Sequence, residues 1–286
     1  MIQRYAEVIG DPVGHSKSPL IQKFWLERLG IIADYRAVHV GSAALSRYFD
    51  ARRGDVNWLG CNVTLPHKSA VLEYLDRASD PVALIGASNC VCPARSSLVG
   101  FNTDVEGVLE PLSHLLAGFE PGDVATIIIG AGGAARAAAY AFWQQGYLID
   151  FVSRNQGSAR KIADDIAKHR SREIGTHSFE EFERLWEAQR ARSAKKLVIV
   201  NASPLGMAGM PELSIDLDRV LTSAIIFDMV YTPIDTPLLT RARHRGLPTI
   251  DGLEMLVGQA AWAFEHFFGQ PAPREHDSDL RALLTK

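Results

Sequence analysis

A chain of 286 residues has room for one large domain or two ordinary ones. It is 47% hydrophobic and 22% charged with a formal net charge of −3, the profile of a soluble globular protein with no basic tail for nucleic acid. No apolar run approaches the roughly 20 residues that span a bilayer. The opening "MIQRYAEVIG" enters a strand without the apolar core of a signal peptide, so a cytoplasmic protein is expected. Cys61, Cys90 and Cys92 are odd in number and lack metal-ligand or CxxC spacing, which predicts reduced packing residues and no metal site.

Strand-like and helix-like patterns alternate along the chain, the mark of an α/β protein with parallel sheets. "YAEVIG" reads as a strand and "SPLIQKFWLERLG" as a helix, with Pro19 at its first position and Gly30 at its end. "DYRAVHV" is a second strand, "ALSRYFDARRG" a second helix, "WLGCNVTL" a third strand and "HKSAVLEYLD" a third helix. Two short strands, "ASNCVCP" and "SLVGFN", precede a helix from about Asp104 to Leu116. The turn-rich "AGFEPGD", residues 117–123, opens the way to a second block. That block begins with the strand "VATIII" and the helical "GAGGAARAAAYAFWQQG". "LIDFVS", "KLVIVNA" and "AIIFDMV" follow as strands apolar enough to be buried on both faces. Residues 156–195 predict two polar helical segments covering that sheet. "GLEMLVGQAAWAFEHFFG" reads as a helix with Leu253, Leu256, Val257, Ala260, Ala261, Phe264, Phe267 and Phe268 on one face at helical spacing.

The turn "IIIGAGGAAR" places Gly130, Gly132 and Ala135 in GxGxxA spacing between a strand and a helix. Gly130 permits the tight turn, Gly132 lets a pyrophosphate approach the backbone, and the small residues Ala134 and Ala138 let the helix lie close to the sheet. Free amides at the helix start suit a diphosphate, so this reads as a dinucleotide site; the plain alternative is a tight strand-to-helix turn. The next strand ends in Ser153, Arg154 and Asn155, whereas Asp150 lies at the strand's other end. Arg154 suits a 2′-phosphate, which points to NADP over NAD, unless it is a solvated surface arginine.

In "NVTLPHK", Pro66 suits a first helical position, which puts Lys68 in a first turn, where the macrodipole disfavours a cation. Lys68 is then either a solvated lysine or a residue kept there for chemistry. Asp104 in "GFNTDVEG" is either an N-cap or its acidic partner. Ser18 before Pro19 looks like a cap, while Ser16 has no such duty. Asn62 and Thr64 point to one side of a strand near its carboxyl end, where ligands gather in α/β sheets. Together with Asn89, Lys68 and Asp104, these residues would suit a small polyhydroxylated molecule.

The ordered set "GDPVGHSKSP", "NVTLPHK", "GASN", "FNTD", "GAGGAAR", "NASPLGM", "FDMVYTP" and "DGLEMLVGQA" resembles the shikimate dehydrogenase family over nearly the whole chain. The resemblance implies NADPH-dependent reduction of 3-dehydroshikimate to shikimate, on the way to the aromatic amino acids. It implies a two-domain α/β fold with a cleft between the domains. Residues 1–107 and 253–286 would form a mixed-sheet substrate-binding domain, and residues 108–252 a Rossmann-type NADP-binding domain. Lys68 and Asp104 match the family's catalytic pair. Ser16, Ser18, Thr64, Lys68, Asn89, Asp104, Tyr231 and Gln259 match its substrate-binding positions. Gly130, Ala131, Gly132, Gly133 and Ala134 match the diphosphate turn, and Ser153, Arg154, Asn155 and Ser158 the 2′-phosphate loop. Met229 and Gly252 look like backbone contacts to the nicotinamide, and Asp80 resembles an acid near the cofactor. No metal, nucleic acid or membrane is implied, and the chain would act as a monomer or homodimer. The chain departs from the family at Ser158, where a second basic residue is usual, and at Asn155, where threonine is usual. A quinate or dual quinate/shikimate dehydrogenase is the nearest alternative, which serine at both Ser16 and Ser18 disfavours. A non-catalytic NADP sensor is the remote one, since it would have no reason to keep Lys68 and Asp104 together.

Overall fold

A computed structural model describes residues 3–168, 174–182, 185 and 194–286. The chain divides into two compact units, one running to Thr103 and completed by Val257–Lys286, the other Asp104–Leu256.

In the first unit, strands β1 (Arg4–Gly10), β2 (Ala33–His39), β3 (Trp58–Val63), β4 (Arg77–Ala78), β5 (Cys90–Ala94) and β6 (Ser97–Phe101) form one sheet in the order β2-β1-β3-β5-β6-β4. β1 pairs parallel to β2 and β3. β5 runs antiparallel to β3 and β6, so the sheet is mixed, not wholly parallel. The reversal comes at the two-residue connection after Ala94, where Arg95 takes φ 59°, the left-handed geometry that short hairpins demand. Helices α1 (Ser18–Leu29), α2 (Leu45–Arg53) and α3 (Asp80–Ile85) flank the sheet. α1 buries Ile21, Trp25 and Leu26, and Trp25 packs edge-on against Phe264 of the helix Gly252–Phe268. Gln22, wholly buried on α1, donates from Nε2 to the Ala260 carbonyl at 3.0 Å. A final helix spans Asp277–Leu284.

Two expectations about this unit need correction. "HKSAVLEYLD" is not an α-helix: after the cis Leu65–Pro66 bond the chain makes a turn and then a 3-10 helix, Ala70–Tyr74. The Lys68 carbonyl, which an α-helix would commit to Leu72, accepts instead from Ser88 N–H at 2.8 Å, and Leu72 N–H turns to Ser69. At the start of α1 the cap position falls on Lys17, with Ser18 the first helical residue. Ser16 takes up the local duty, its Oγ accepting from Ser18 N–H at 3.2 Å.

A buried carboxylate anchors the sheet to α2. Glu7, 1% exposed on β1, accepts from Arg52 at 2.9 and 3.0 Å and from the Tyr48 hydroxyl at 2.7 Å. The pair holds the Arg52 guanidinium far above its ordinary range, first through the hydrogen bond to Glu7. Burial raises the Tyr5 phenol nearby to about 12, helped by its hydrogen bond to Asp55.

In the second unit, β7 (Val124–Ile129), β8 (Leu148–Val152), β9 (Gly175–His177), β10 (Lys196–Asn201), β11 (Ile225–Asp228) and β12 (Thr249–Ile250) form a sheet in the order β12-β11-β10-β7-β8-β9. Every pairing in it is parallel. Numbered from β7, that is the 3-2-1-4-5-6 order of a doubly wound dinucleotide fold. β7 and β11 are buried along their whole length, as their apolar runs predict. Helices α4 (Asp104–Leu112), α5 (Gly133–Gln145) and α6 (Gln156–Ala167) and the helix Pro237–His244 belong here. α4 is shorter than expected, with Pro111 one residue from its end. Of the two polar helical segments expected within residues 156–195, the second falls largely outside the described residues. Among the described residues no helix is long and apolar enough to cross a membrane.

Arg52→Ala leaves the buried Glu7 charge with Tyr48 and a 3.6 Å approach of Arg36. The expected loss is about 3 kcal/mol, the low end for breaking a buried pair because Arg52 itself keeps some solvent. A shift of the urea midpoint with unchanged slope would register it.

Candidate active site

Within the first unit, hydrogen bonds link several of the expected substrate residues. The Tyr35 hydroxyl donates to Asn62 Oδ1 at 2.6 Å. Burial pushes the Tyr35 phenol well up, so this hydroxyl stays a donor. Asn62 Nδ2 donates to the Asn89 carbonyl at 3.2 Å, and Val63 N–H to the same oxygen at 2.8 Å. The Asn89 amide is fixed in turn by Thr103, whose N–H donates to Oδ1 at 2.7 Å while Nδ2 donates to Oγ1 at 3.0 Å. Thr64, half-buried, continues from the carboxyl end of β3, and its N–H donates to the Ile9 carbonyl.

Lys68, also half-buried, sits in the turn after Pro66 and not at a helix start. Its place is therefore just ahead of the 3-10 helix Ala70–Tyr74, whose cap position falls on Ser69. The turn is pinned at the Lys68 carbonyl by Ser88 N–H and at neighbouring His67. That histidine is 1% exposed, with Nε2 2.5 Å from the Val40 carbonyl. Gln259, 9% exposed, lies on the helix Gly252–Phe268 one residue before Ala260. Asp80 is exposed at the first position of α3.

In the second unit the cofactor candidates collect at the carboxyl ends of the strands. Gly130, next after β7, adopts φ 116°, and a Cβ there would lie 2.8 Å from the Ala202 carbonyl oxygen. Only glycine serves there. Gly132 differs: its backbone is extended, and a Cβ built on it meets nothing within 4 Å. The space over Gly132 and Gly133 at the start of α5 therefore fits a diphosphate on free amides. The end of β8 is joined to this turn by Gly130 N–H to the Val152 carbonyl. Ser153 follows, buried, with Oγ accepting from Asn155 N–H at 3.1 Å. Asn155 caps α6, its Oδ1 accepting from Ser158 N–H at 3.0 Å, which leaves its Nδ2 group to donate outward. Arg154 is exposed beside them.

Asp104 is the first residue of α4, so the capping position falls on Thr103 and Asp104 is not an N-cap. It is 6% exposed, and its charge adds to the burial that raises the Glu106 carboxyl on the same turn. Met229 and Tyr231 follow β11, and a Cβ on Gly252 would meet the Met229 carbonyl oxygen at 2.4 Å. Two residues that the sequence reading passed over close this edge: Asn201 ends β10 and Asp228 ends β11, both fully buried. A polar residue closing a wholly apolar strand was the available signal. The Cys90 and Cys92 thiols are buried 3.9 Å apart, Cys61 is buried as well, and no metal-holding cluster occurs among the described residues.

A parallel 3-2-1-4-5-6 sheet with an open glycine turn after its first strand defines a dinucleotide-binding α/β protein, here with a second, mixed-sheet unit. Residues 8–91 match the shikimate dehydrogenase substrate-binding domain, and residues 252–276 the shikimate 5′-dehydrogenase C-terminal domain. The shikimate dehydrogenase (NADP+) of Sphingopyxis alaskensis is 44% identical over 98% of this chain and 96% of its own. Two-unit structures of the same kind include shikimate 5-dehydrogenase of Thermus thermophilus in complex with NADP(H) and shikimate. It is 30% identical, with a TM-score of 0.81 over 99% of this chain and 100% of that one. Quinate dehydrogenase of Corynebacterium glutamicum in complex with NAD is 26% identical, with a TM-score of 0.84 over 98% and 99%. The chain belongs to the shikimate dehydrogenase family.

Gly132→Ala and Gly130→Ala separate binding from folding. The first should leave the melting temperature unchanged while lowering NADPH affinity about tenfold or more, because the methyl enters only the open space over the turn. The second should destabilise the free protein, because the methyl strikes backbone and φ is left-handed. Thermal melts and NADPH fluorescence titrations of both variants would check the contrast.

Proposed function

We propose that this protein catalyses the reversible, NADPH-dependent reduction of 3-dehydroshikimate to shikimate, on the route to the aromatic amino acids. The observation that carries the reading is the near full-length match to an NADP-using shikimate dehydrogenase in a chain that keeps Lys68 and Asp104. The protein works in the cytoplasm, as a monomer or homodimer. Residues 1–107 with 253–286 form the substrate domain and 108–252 the NADP domain.

NADPH, when bound, supplies the hydride. The protein's part is to place substrate and cofactor and to manage one proton. Lys68 is the general acid: its ammonium stabilises the charge that develops on the carbonyl oxygen and gives that oxygen a proton. In the oxidative direction the neutral amine takes the proton back, and Asp104 is the carboxylate of the pair. Ser16, Ser18, Thr64, Asn89, Tyr231 and Gln259 meet the hydroxyls and carboxylate of the substrate. The Tyr35–Asn62–Asn89 hydrogen bonds support this, since polar side chains held by their neighbours present fixed donors and acceptors.

Gly130, Ala131, Gly132, Gly133 and Ala134 hold the diphosphate, and Ser153, Arg154, Asn155 and Ser158 the 2′-phosphate. Met229, Gly252 and Asp80 complete the cofactor contacts. Arg154 is the single basic residue of the 2′-phosphate loop, because Ser158 adds only a hydroxyl. A charge-assisted hydrogen bond contributes about 1.5–3 kcal/mol. That corresponds to about 10- to 100-fold preference for NADP over NAD.

Quinate is the second reading, favoured by the likeness to a quinate dehydrogenase. Serine at both Ser16 and Ser18 argues for shikimate. Steady-state kinetics with shikimate and quinate, each against NADP and NAD, decide between them: kcat/KM should be highest for shikimate with NADP.

Two substitutions probe the assigned roles. Lys68→Ala should lower kcat by about 10²–10⁴-fold, the usual loss for a positioned general acid, with the KM for shikimate within about tenfold. Near-normal turnover would remove Lys68 from the chemistry. Arg154→Ala should abolish most of the NADP preference and leave NAD kinetics little changed, because NAD carries no phosphate there to lose.

A further inference from the structure

A buried polar network lies at the carboxyl edge of the second sheet, between the segments that the functional reading assigns to the cofactor. Asp228, the last residue of β11, has no solvent exposure, and neutral donors meet its carboxylate. Oδ1 accepts from Asn201 Nδ2 at 2.9 Å and from Val230 N–H at 3.1 Å, and Oδ2 accepts from the Thr236 hydroxyl at 2.7 Å. Asn201, the last residue of β10, extends the network. Its Nδ2 also donates to the Leu205 carbonyl at 2.8 Å, and its Oδ1 accepts from Ser203 N–H at 3.1 Å and Ser203 Oγ at 2.7 Å. Thr236 caps the helix Pro237–His244, accepting from Leu239 N–H while donating to Asp228.

The network ends on two backbone segments that the cofactor glycines touch. Gly130 sits against the Ala202 carbonyl, and Ala202 lies between Asn201 and Ser203, which bond each other. Gly252 sits against the Met229–Val230 peptide, and Val230 N–H is held by Asp228 itself. Met229 N–H is tied to the Asn201 carbonyl at 3.0 Å. One carboxylate thus fixes the turn after β11 directly and the loop after β10 through Asn201. Asn201 Nδ2 and Val230 N–H can only donate, and the Thr236 hydroxyl donates while accepting from Leu239 N–H, so a carboxylate takes all three bonds. An amide could keep them only by turning its N–H₂ onto the Thr236 oxygen and crowding the cap.

We propose that Asp228, acting through Asn201 and Thr236, is a positioning residue for the cofactor: it sets the backbone of residues 202–203 and 229–231 against which NADP(H) is held. This rests on the functional reading above. The role is distinct from core packing because the network's outer ends are the two loops beyond the strands. Its failure should therefore appear in cofactor affinity before substrate affinity.

The test uses the whole chain and NADPH itself. NADPH fluorescence titration of Asp228→Asn, without substrate, should give a Kd at least tenfold above that of the unmodified protein. The KM for shikimate at saturating NADP should stay within about twofold. Thr236→Val removes a single donor and is the gentler variant should Asp228→Asn fail to fold. Its Kd should rise threefold or more, and Thr236→Ser, which keeps the hydroxyl and the cap, should restore the original value. Binding within twofold of the original in Asp228→Asn, an equal loss in the shikimate KM, or equal Kd values for the Val and Ser variants would each overturn the assignment. If the unmodified protein binds no NADPH, the functional reading falls and this inference with it. Intact NADPH binding that the substitutions leave unmoved overturns the inference alone.

Discussion

At Gly130 the backbone leaves β7 at φ 116° with its α-carbon so close to the Ala202 carbonyl that a methyl group would lie 2.8 Å from the oxygen. That approach brings the end of the first strand of the parallel sheet against the end of the fourth. β7 and β10 pair residue for residue as far as Ile129 and Asn201, and Ala202 N–H still reaches the Ile129 carbonyl. With the turn held there, α5 starts over open space with its first amides unspent, which is the physical requirement for an anion. A wider turn would move the helix away from the sheet, leaving Ala135, Ala137 and Ala138 without the close packing that buries them completely. The small side chains and the glycine turn are therefore one constraint seen twice.

The two sheets meet the problem of a buried carboxylate in different ways. Glu7 in the first unit is neutralised by a bidentate arginine, a strong pair with planar geometry that fixes α2 on the sheet. Asp228 in the second is met by an amide, a backbone N–H and a hydroxyl, and burial pushes its carboxyl above the ordinary range while those three donors oppose the shift. Asp150, buried on β8 and 3.0 Å from His177 Nε2, is a third case, and it belongs to the pairing of β8 with β9.

Much of this architecture was legible because the hydrophobic period is strong where both faces of a strand are buried, as in β7 and β11, and where a helix carries one apolar stripe, as in Gly252–Phe268. The glycine turn was legible because its neighbours on both sides were. Short elements were not: β4 and β12 have two residues each, too few to show any period, and their pairing is decided by strands far away in the chain. The side-chain duties at chain turns were also hidden. Ser16 takes the local bond in place of Ser18, and the helix starts at Asp104 and not one residue later; both differ from the sequence reading by one or two positions, within the error of any helix boundary drawn from composition.

The segment around Lys68 failed for a more instructive reason. Its residues have helical spacing, and Val71 N–H does close one α-type turn on His67. A second turn would need the Lys68 carbonyl, which Ser88 N–H has taken from a loop 20 residues on in sequence. Long-range hydrogen bonding thus overrode local periodicity. The consequence reaches function, because Lys68 is now held by its backbone, through its own carbonyl and the buried His67 beside it, and not by membership of a helix. A lysine so anchored keeps its main chain in place whatever its side chain does.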